Sequence, residues 1–182
     1  MSAQSIDEVI AFWFDELGPR NWFRKDVKLD ATIKERFGAL YDELKLGVPA
    51  AWLSEPHGVL ASVLVLDQFP RNMFRGAEHS FVTDAAALAI AKRAIAEGVD
   101  AKLPVTKRWF LYLPFQHAEN SADQARSVEL FTALGNPSAL DYALRHQAVI
   151  DRFGRFPHRN AVLGRLSTED EEAFLKEPGA SF

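Results

Sequence analysis

Apolar side chains recur at every third or fourth position along most of the chain, which is the spacing of one buried helix face. The first such stripe consists of Ile6, Val9, Ile10, Trp13 and Leu17. Sustained alternation of apolar and polar residues between turn residues, the pattern of a half-buried strand, is not found in the sequence. The sequence therefore predicts an all-α fold.

Glycines, prolines and capping residues divide these stripes into about eight helices. Their predicted ranges are 6–17, 29–44, 56–68, 82–97, 104–113, 121–134, 138–152 and a short acidic helix from Thr168 onwards. Ser5 with Glu8 has the spacing of a capping box that would open the first helix, and Thr168 with Glu171 repeats it at the last. Pro114 is expected to end the fifth helix, because proline cannot continue the hydrogen-bond ladder. The links are short and evenly spread, so we predict a single domain, 1–182, built as a helical array.

The composition narrows the classes of protein that the chain can be. It has 182 residues, 48% hydrophobic and 25% charged, and no cysteine, which excludes disulfides, thiolate zinc sites and a cysteine nucleophile. The net charge of −4 gives no support to nucleic-acid binding. The longest apolar runs, such as 59–66, fall short of the ~20 residues of a membrane span, and MSAQSIDEVI does not resemble a secretory signal. We therefore expect a cytoplasmic protein with neither a nucleic-acid nor a membrane partner.

The first candidate for chemistry is Asp67, which lies on an apolar helix face three residues after Leu64. A carboxylate there is desolvated and close to the negative end of the helix dipole, so it needs a cationic partner. Arg71 or Arg75 can supply one. Such pairs can simply fix the helix end and the loop that follows it. Alternatively, the arginines converge on a pocket and leave donors free for a ligand anion, with Asn72 fixing its orientation.

A weak internal echo links this segment to residues 149–153. Val-Leu-Asp-Gln-Phe at 65–69 resembles Val-Ile-Asp-Arg-Phe at 149–153, and an Arg-Asn pair soon follows each copy. By the same reasoning, Asp151 would pair with Arg152 or Arg155. The echo records either a duplicated helix pair or a chance similarity.

Arginines and histidines are concentrated between residues 145 and 165, against the single acid Asp151. The members of this basic segment are Arg145, His146, Arg152, Arg155, His158, Arg159 and Arg165. Planar guanidinium groups suit a carboxylate or a phosphate better than lysines would. The alternative is that these cations pair with the acids of the final helix, residues 169–172.

His117 and Glu119 stand two residues apart after the predicted fifth helix. Together with His146 or His158 they fit the three-ligand pattern of iron or manganese sites. A neutral imidazole that acts as a general base beside Glu119 is a second interpretation. The third is a hydrogen-bonded loop histidine with no chemistry. Dinucleotide-binding, P-loop, zincin, nucleophile-elbow and EF-hand motifs are absent, so no cofactor is expected.

Several blocks of residues together resemble a bacterial family of unknown function, the one numbered 924. They are 9–14 (VIAFWF), 22–23 (WF), 66–76 (LDQFPRNMFRG), 110–119 (FLYLPFQHAE) and 152–160 (RFGRFPHRN) with 163–165 (LGR). The resemblance implies a TPR-like all-helical fold, an α-α superhelix, and no particular activity. Analogy with TPR proteins would favour peptide or protein binding, but a fold alone does not define a function.

The leading prediction is a pocket that binds a small anionic ligand or a peptide carboxylate. Its predicted residues are the donors Arg71, Arg75, Arg155 and Arg159, the orienting Asn72 and Asn160, the arginine-holding Asp67, and His117 and His158. A first alternative is an enzyme that uses His117 and Glu119, with His146 or His158, as an acid–base or metal site. A second is a protein-interaction scaffold in which the same motifs are structural.

Overall fold

The computed structural model describes residues 3–180, and between them every regular element is helical and none is a strand. The α-helices are α1 (Ala3–Ala11), α2 (Val27–Leu44), α3 (Ala50–Leu53), α4 (Pro56–Val63), α5 (Phe69–Met73), α6 (Asp84–Ala96), α7 (Val105–Gln116), α8 (Ser121–Leu134), α9 (Pro137–Phe153) and α10 (Glu169–Phe174). Two wider π-helical segments, Phe12–Leu17 and Leu64–Gln68, continue α1 and join α4 to α5. The predicted all-α class is confirmed, whereas the TPR-like arrangement and the single domain stay predictions.

Two predicted helix limits are wrong. Ser5 lies inside α1, which already includes Ala3, so Ser5 is not the residue that caps it. Pro114 lies inside α7, which runs on to Gln116. A proline so close to the end of a helix is tolerated because only the last turn follows it. By contrast, α8 has the predicted limits, and the capping box of Thr168 and Glu171 opens α10 as predicted.

The core is aromatic and lies where α1, α2, α5 and α7 meet. Trp13 is fully buried, with its ring centroid 5.7 Å from that of Phe69 and 5.6 Å from that of Phe110. Phe37 of α2 closes the group at 4.8 Å from Phe69. Burying aromatic side chains of this size is the largest single source of apolar stabilisation in a small domain. The cluster holds α5, and with it the functional residues that flank α5, against three other helices.

The π-helical segment before α5 fixes a second part of the chain. Pro70 has no N–H, so the carbonyl of Leu66, four residues earlier, is left without its usual helical donor. The Thr83 hydroxyl donates to that carbonyl instead. Thr83 is the residue before α6, so this bond brings the beginning of α6 against the end of the π-helical segment. Asp67 and Asp84 consequently lie in the same region of the fold.

No helix within residues 3–180 has both the length and the apolar character to cross a membrane. The apolar helix α4 is instead surrounded by protein, and all of its residues from Gly58 to Val63 are buried. The face of α6 that packs inwards consists of the small residues Ala87, Ala91 and Ala94. Small side chains let neighbouring helices approach closely.

Gly58 makes the closest backbone approach, between α4 and α3. We expect Gly58→Ala to lower the free energy of unfolding by about 1–3 kcal/mol, because its methyl would lie 2.8 Å from Trp52 Cα. Gly38→Ala is the matched control in α2. Nothing lies within 4 Å of the methyl it adds, so it should raise the free energy of unfolding by about 0.5–1 kcal/mol. Urea unfolding of both variants checks this, and a Gly58→Ala variant as stable as the parent would contradict the close approach.

Candidate functional site

The buried carboxylate of Asp67 is the centre of the site. It has no exposed surface, and it accepts hydrogen bonds from Gln68 Nε2 at 2.6 Å and from His117 Nδ1 at 2.8 Å. The Arg71 Nη1 atom lies 3.3 Å from the same carboxylate. Burial raises the pKa of Asp67, but the charge of Arg71 and the hydrogen bonds outweigh it, and the pKa lies well below its usual value. Asp67 is therefore an anion, and the partner predicted from the sequence, Arg71, is present.

Arg71 connects Asp67 to a second carboxylate. Its Nη1 and Nη2 atoms donate to the two oxygens of Asp84 at 2.8 and 2.9 Å, and Nη1 also donates to the Asp67 carbonyl oxygen. Asp84 is the first residue of α6, where a negative charge is favoured by the helix dipole. Both terminal nitrogens of Arg71 thus donate to acceptors within the protein. Arg71 is bound inside the protein and is not available as an anion donor.

His117, the residue after α7, has its tautomer fixed by Asp67. Burial and the charge of Arg71 lower the pKa of His117, against the opposing effect of Asp67, so the ring is neutral near pH 7. A neutral ring that contacts a carboxylate through Nδ1 carries its proton there, which leaves Nε2 as an acceptor. Nε2 has no hydrogen-bond partner among residues 3–180, and the side chain keeps 13% of its surface exposed.

Arg159 is the cation whose hydrogen bonding is incomplete. Its guanidinium carbon lies 4.6 Å from the ring centroids of both Phe81 and Phe156, which sandwich it. Its shortest ion pair is a long one, 3.4 Å from Nη1 to Asp84 Oδ2, and its Nε–H is buried with no acceptor among the described residues. Burial and the neighbouring charge of Arg71 lower the pKa of Arg159 to about 10, so it is still charged at pH 7.

Arg159 and His117 line one cleft of about 470 Å³. Its apolar lining consists of Phe81, Val82, Ala85, Leu88, Ala118 and Leu163. Its other polar lining consists of Glu78, Asp84, Glu119, Asn120 and Asp123. The volume is in the range of small-molecule sites, roughly 300–1,000 Å³. Arg159 supplies a hydrogen-bond donor and His117 an acceptor, so the cleft can hold a small molecule that has the complementary groups.

Of the nine sequence-predicted binding residues, the lining of this cleft includes His117 and Arg159, and the other seven lie outside it. Arg75 and Asn72 both bind Asp30 of α2, Arg75 through two bonds of 2.8 Å. Arg155 binds the Glu171 carboxylate at 2.6 and 2.8 Å, and Asn160 binds the same carboxylate at 3.3 Å. Acids of the fold thus occupy these donors separately, as the structural interpretation of the sequence allowed.

Glu119 lines the cleft, yet its carboxylate is already engaged. Arg165 donates to its two oxygens at 2.6 and 2.9 Å, and the backbone N–H of Phe156 donates at 2.7 Å. Burial raises the pKa of Glu119, but Arg165 and the Phe156 N–H lower it further, so the carboxylate is held as an ion. The acid–base interpretation paired His117 with Glu119. In the structure, the carboxylate that His117 contacts is that of Asp67.

The remaining histidines are buried near the site. His146 lies with its ring centroid 6.3 Å from that of His117, and its Nδ1 atom lies 2.8 Å from the Tyr142 carbonyl oxygen. Burial lowers the pKa of His146 to about 2 and that of His158 to about 4. Within residues 3–180 no three His, Asp or Glu side chains are grouped as a metal site would require.

The structure does not repeat the Asp67 arrangement at Asp151. Asp151 is exposed, and the cations expected beside it bind elsewhere. Arg155 pairs with Glu171, while the Arg152 guanidinium lies over the rings of Phe153 and Phe174. The expected second Asp–Arg pair is therefore wrong, because α10 supplies a different acid.

Sequence reasoning missed Asp84, which holds both Arg71 and Arg159. An acid at the start of a helix is common, because it stabilises the helix dipole, so nothing in the sequence distinguished this one.

The fold and the site define an all-α protein in which Asp67, Arg71 and Asp84 form a chain of ion pairs beside a small cleft. The chain belongs to the family described as a bacterial protein of unknown function (DUF924), whose profile matches residues 9–179. It is similar to the solved structure of a protein of unknown function from Agrobacterium tumefaciens, with 38% identity and a TM-score of 0.93. That likeness covers 98% of this chain and 100% of the other. The comparison with proteins of curated function finds no match.

Asp67 and Asp151 occupy equivalent positions in the similar segments 65–69 and 149–153, so substitutions of the two can be compared directly. We expect Asp67→Asn to lower the free energy of unfolding by about 3 kcal/mol, because it removes the fully buried carboxylate that pairs with the mostly buried guanidinium of Arg71. Asp151→Asn should change it by less than about 0.5 kcal/mol, because the side chain is exposed. Equal losses in chemical denaturation would show that the two aspartates have equivalent surroundings after all.

The buried neutral histidines predict a loss of stability in mild acid. Their pKa is lowered in the folded state from 6.5, so below pH 6.5 the unfolded chain binds more protons and unfolding becomes easier. Each histidine that stays neutral should contribute a slope of about 1.4 kcal/mol per pH unit below that value. Urea unfolding between pH 7 and 4.5 measures the slope. His146→Gln should reduce it by one proton, whereas His57→Gln, at an exposed position, should leave it unchanged.

Proposed function

We propose that the cleft binds a small organic molecule through a single anionic group, a carboxylate or a phosphate, with Arg159 as the donor. The observation that carries the proposal is the incomplete hydrogen bonding of Arg159 at the wall of the cleft: its bond to Asp84 is long, 3.4 Å, and its buried Nε–H has no acceptor among the described residues. A buried donor without a partner costs about 1–3 kcal/mol, and more when it is charged. An oxyanion in the cleft would supply the missing acceptor.

The charge balance around Arg159 favours an anionic group over a neutral one. Arg159 shares Asp84 with Arg71, and the two shorter bonds of 2.8 and 2.9 Å belong to Arg71. Arg159 therefore interacts with the shared Asp84 carboxylate more weakly than Arg71 does. Charge-assisted hydrogen bonds are about twice as strong as neutral ones, so a ligand oxyanion is the acceptor that Arg159 would bind best.

The acids around the cleft limit how much negative charge a ligand can carry. Asp84, Glu119 and Asp123 are paired with Arg71, Arg165 and Lys92 respectively, whereas Glu78 is exposed and has no ion pair among the described residues. A polyphosphate or a nucleic acid would meet these carboxylates without enough cations to offset them. The site thus suits a ligand with one anionic group.

The apolar half of the cleft determines the rest of the ligand. Phe81, Val82, Leu88 and Leu163 form a hydrophobic wall beside Arg159. Burying an apolar group against them contributes about 25 cal/mol per Å² of surface removed from water. We therefore propose an organic acid with an apolar body; the carboxyl terminus of a peptide with an apolar last residue offers the same chemistry.

The two alternatives require different observations. A scaffold in which all motifs are structural would leave the cleft without ligands, and would bind proteins through another surface. An enzyme with His117 and Glu119 as an acid–base pair would need Glu119 to exchange protons, although its carboxylate is held by Arg165 at 2.6 Å. Neither alternative explains why the buried Nε–H of Arg159 has no acceptor among the described residues.

The direct test measures the NMR signal of the Arg159 Nε–H group itself. Titration of the protein with phenylacetate, inorganic phosphate and a short peptide ending in phenylalanine is followed by ¹H–¹⁵N NMR. We expect phenylacetate or the peptide to shift the Arg159 Nε–H resonance in a saturable manner, which also distinguishes a free acid from a peptide. The proposal is wrong if none of the three probes produces a saturable shift.

Substitution identifies the donor independently of the assignment of that resonance. We expect Arg159→Met to weaken the binding of phenylacetate at least tenfold, because the methionine fills the space between the two rings and donates no hydrogen bond. Arg36→Met is the matched control, since Arg36 also lies over two aromatic rings, 4.7 Å from Phe12 and 5.2 Å from Phe37, and does not line the cleft. Equal losses in the two folded variants, measured by titration calorimetry, would contradict the assignment.

A further inference from the structure

The cleft presents an acceptor as well as a donor. His117 contributes its Nε2 atom, because the other ring nitrogen is bonded to Asp67 at 2.8 Å. Asp67 cannot move to release the ring, since it is fully buried and also held by Gln68 and Arg71. The acceptor is therefore fixed in position before any ligand enters.

We propose that the ligand carries a neutral hydroxyl group next to its anionic group, and that His117 Nε2 accepts a hydrogen bond from it. This inference rests on the proposed function, since it concerns the same cleft and the same organic acid. It assigns the ligand to the hydroxy acids with an apolar body. Arg159 would bind the carboxylate, His117 the hydroxyl and the hydrophobic wall the remainder.

An acceptor with a fixed tautomer discriminates strongly between ligands. A ligand without a donor removes Nε2 from water and gives it no partner, which costs more than the hydrogen bond itself contributes. Sites built to bind a hydroxyl reject analogues that lack it for this reason. The hydroxyl should therefore raise affinity at least about tenfold over the matched acid without it.

The donor is a hydroxyl rather than an ammonium group because of the charges around the cleft. Arg71 and Arg159 lie beside Asp84, and each compensating acid is already paired with a guanidinium or an ammonium group. An additional cation would be desolvated near two arginines, and Glu78, the lining acid without an ion pair among the described residues, is exposed, so it would offset that cost only weakly. A neutral donor meets the acceptor without that penalty.

The test compares three ligands that differ in one substituent on the α-carbon: phenylacetate carries hydrogen there, mandelate a hydroxyl group and phenylglycine an ammonium group. We expect mandelate, as its better-bound enantiomer, to bind the full-length protein at least tenfold more tightly than phenylacetate, and phenylglycine to bind no more tightly than phenylacetate. Titration calorimetry at pH 7.5 measures all three. The inference is overturned if phenylacetate binds and mandelate gains nothing, or if phenylglycine is the tightest of the three. Failure of phenylacetate and mandelate alike overturns the proposed function and this inference together.

Two variants attribute the hydroxyl preference to His117. His117→Gln can donate its amide N–H to Asp67 and present its oxygen to the cleft, so it should keep part of the preference. His117→Phe removes the acceptor, so it should bind mandelate and phenylacetate equally while still binding both. His57→Gln, at an exposed position outside the cleft lining, should change nothing. A preference for mandelate that survives in a folded His117→Phe variant would assign it to another group.

The wild-type protein offers a check that requires no substitution. The charged and titratable groups that face His117 are Asp67, Arg71, Asp84, His146 and His158. Protonation of His117 converts Nε2 from an acceptor to a donor. Because the pKa of His117 is lowered, the mandelate preference should persist as the pH falls through 6.5, and it should shrink only where NMR shows the His117 ring to be protonated in a folded sample. A preference that stays constant through the titration of His117, followed by its ring resonances, would count against the inference.

Discussion

A carboxylate with no access to water determines how this part of the fold is assembled. Asp67 lies in the π-helical segment between α4 and α5. Arg71, one turn later, compensates its charge, and its neighbour Gln68 and His117, at the end of α7, donate hydrogen bonds to its oxygens. An unpaired buried ion would destabilise the protein by several kcal/mol. The position of α7 relative to α5 is consequently specified by a polar contact as well as by the aromatic core.

The charges alternate outward from this point. Asp67 is bound by Arg71, Arg71 by Asp84, and Asp84 more weakly by Arg159, which ends the series at the cleft. Each internal member has partners on two sides, whereas Arg159 has one, and a long one at 3.4 Å. The aromatic rings of Phe81 and Phe156 hold its guanidinium in place without using its donors. The incomplete member of the series is thus also the one that faces a space large enough for a ligand.

The sequence predicts the helices better than it predicts the site, for physical reasons. The limits of α8 follow from local chemistry, a capping Asn120 and a left-handed Gly135, so they can be derived without tertiary structure. The need of Asp67 for Arg71 is also local, since the two are four residues apart. Which other arginine stays incompletely paired depends on where the acids dock. Glu171 of α10 binds Arg155 and not Arg159, and no spacing within residues 145–165 distinguishes the two.

Arg159 comes late in the polypeptide, and this determines the order in which the cleft can be completed during synthesis. Asp67, Arg71, Asp84 and His117 all lie in the first two thirds of the chain, and they can neutralise one another before the ribosome has made the rest. The residues that shape the opposite wall, Arg159 and Leu163, follow only after α9. A nascent chain that ends at α9 can therefore already pair Asp67 and Asp84 with Arg71, whereas Glu119 still lacks Arg165, and the proposed capacity to bind an external anion is added only with the last turns of the polypeptide.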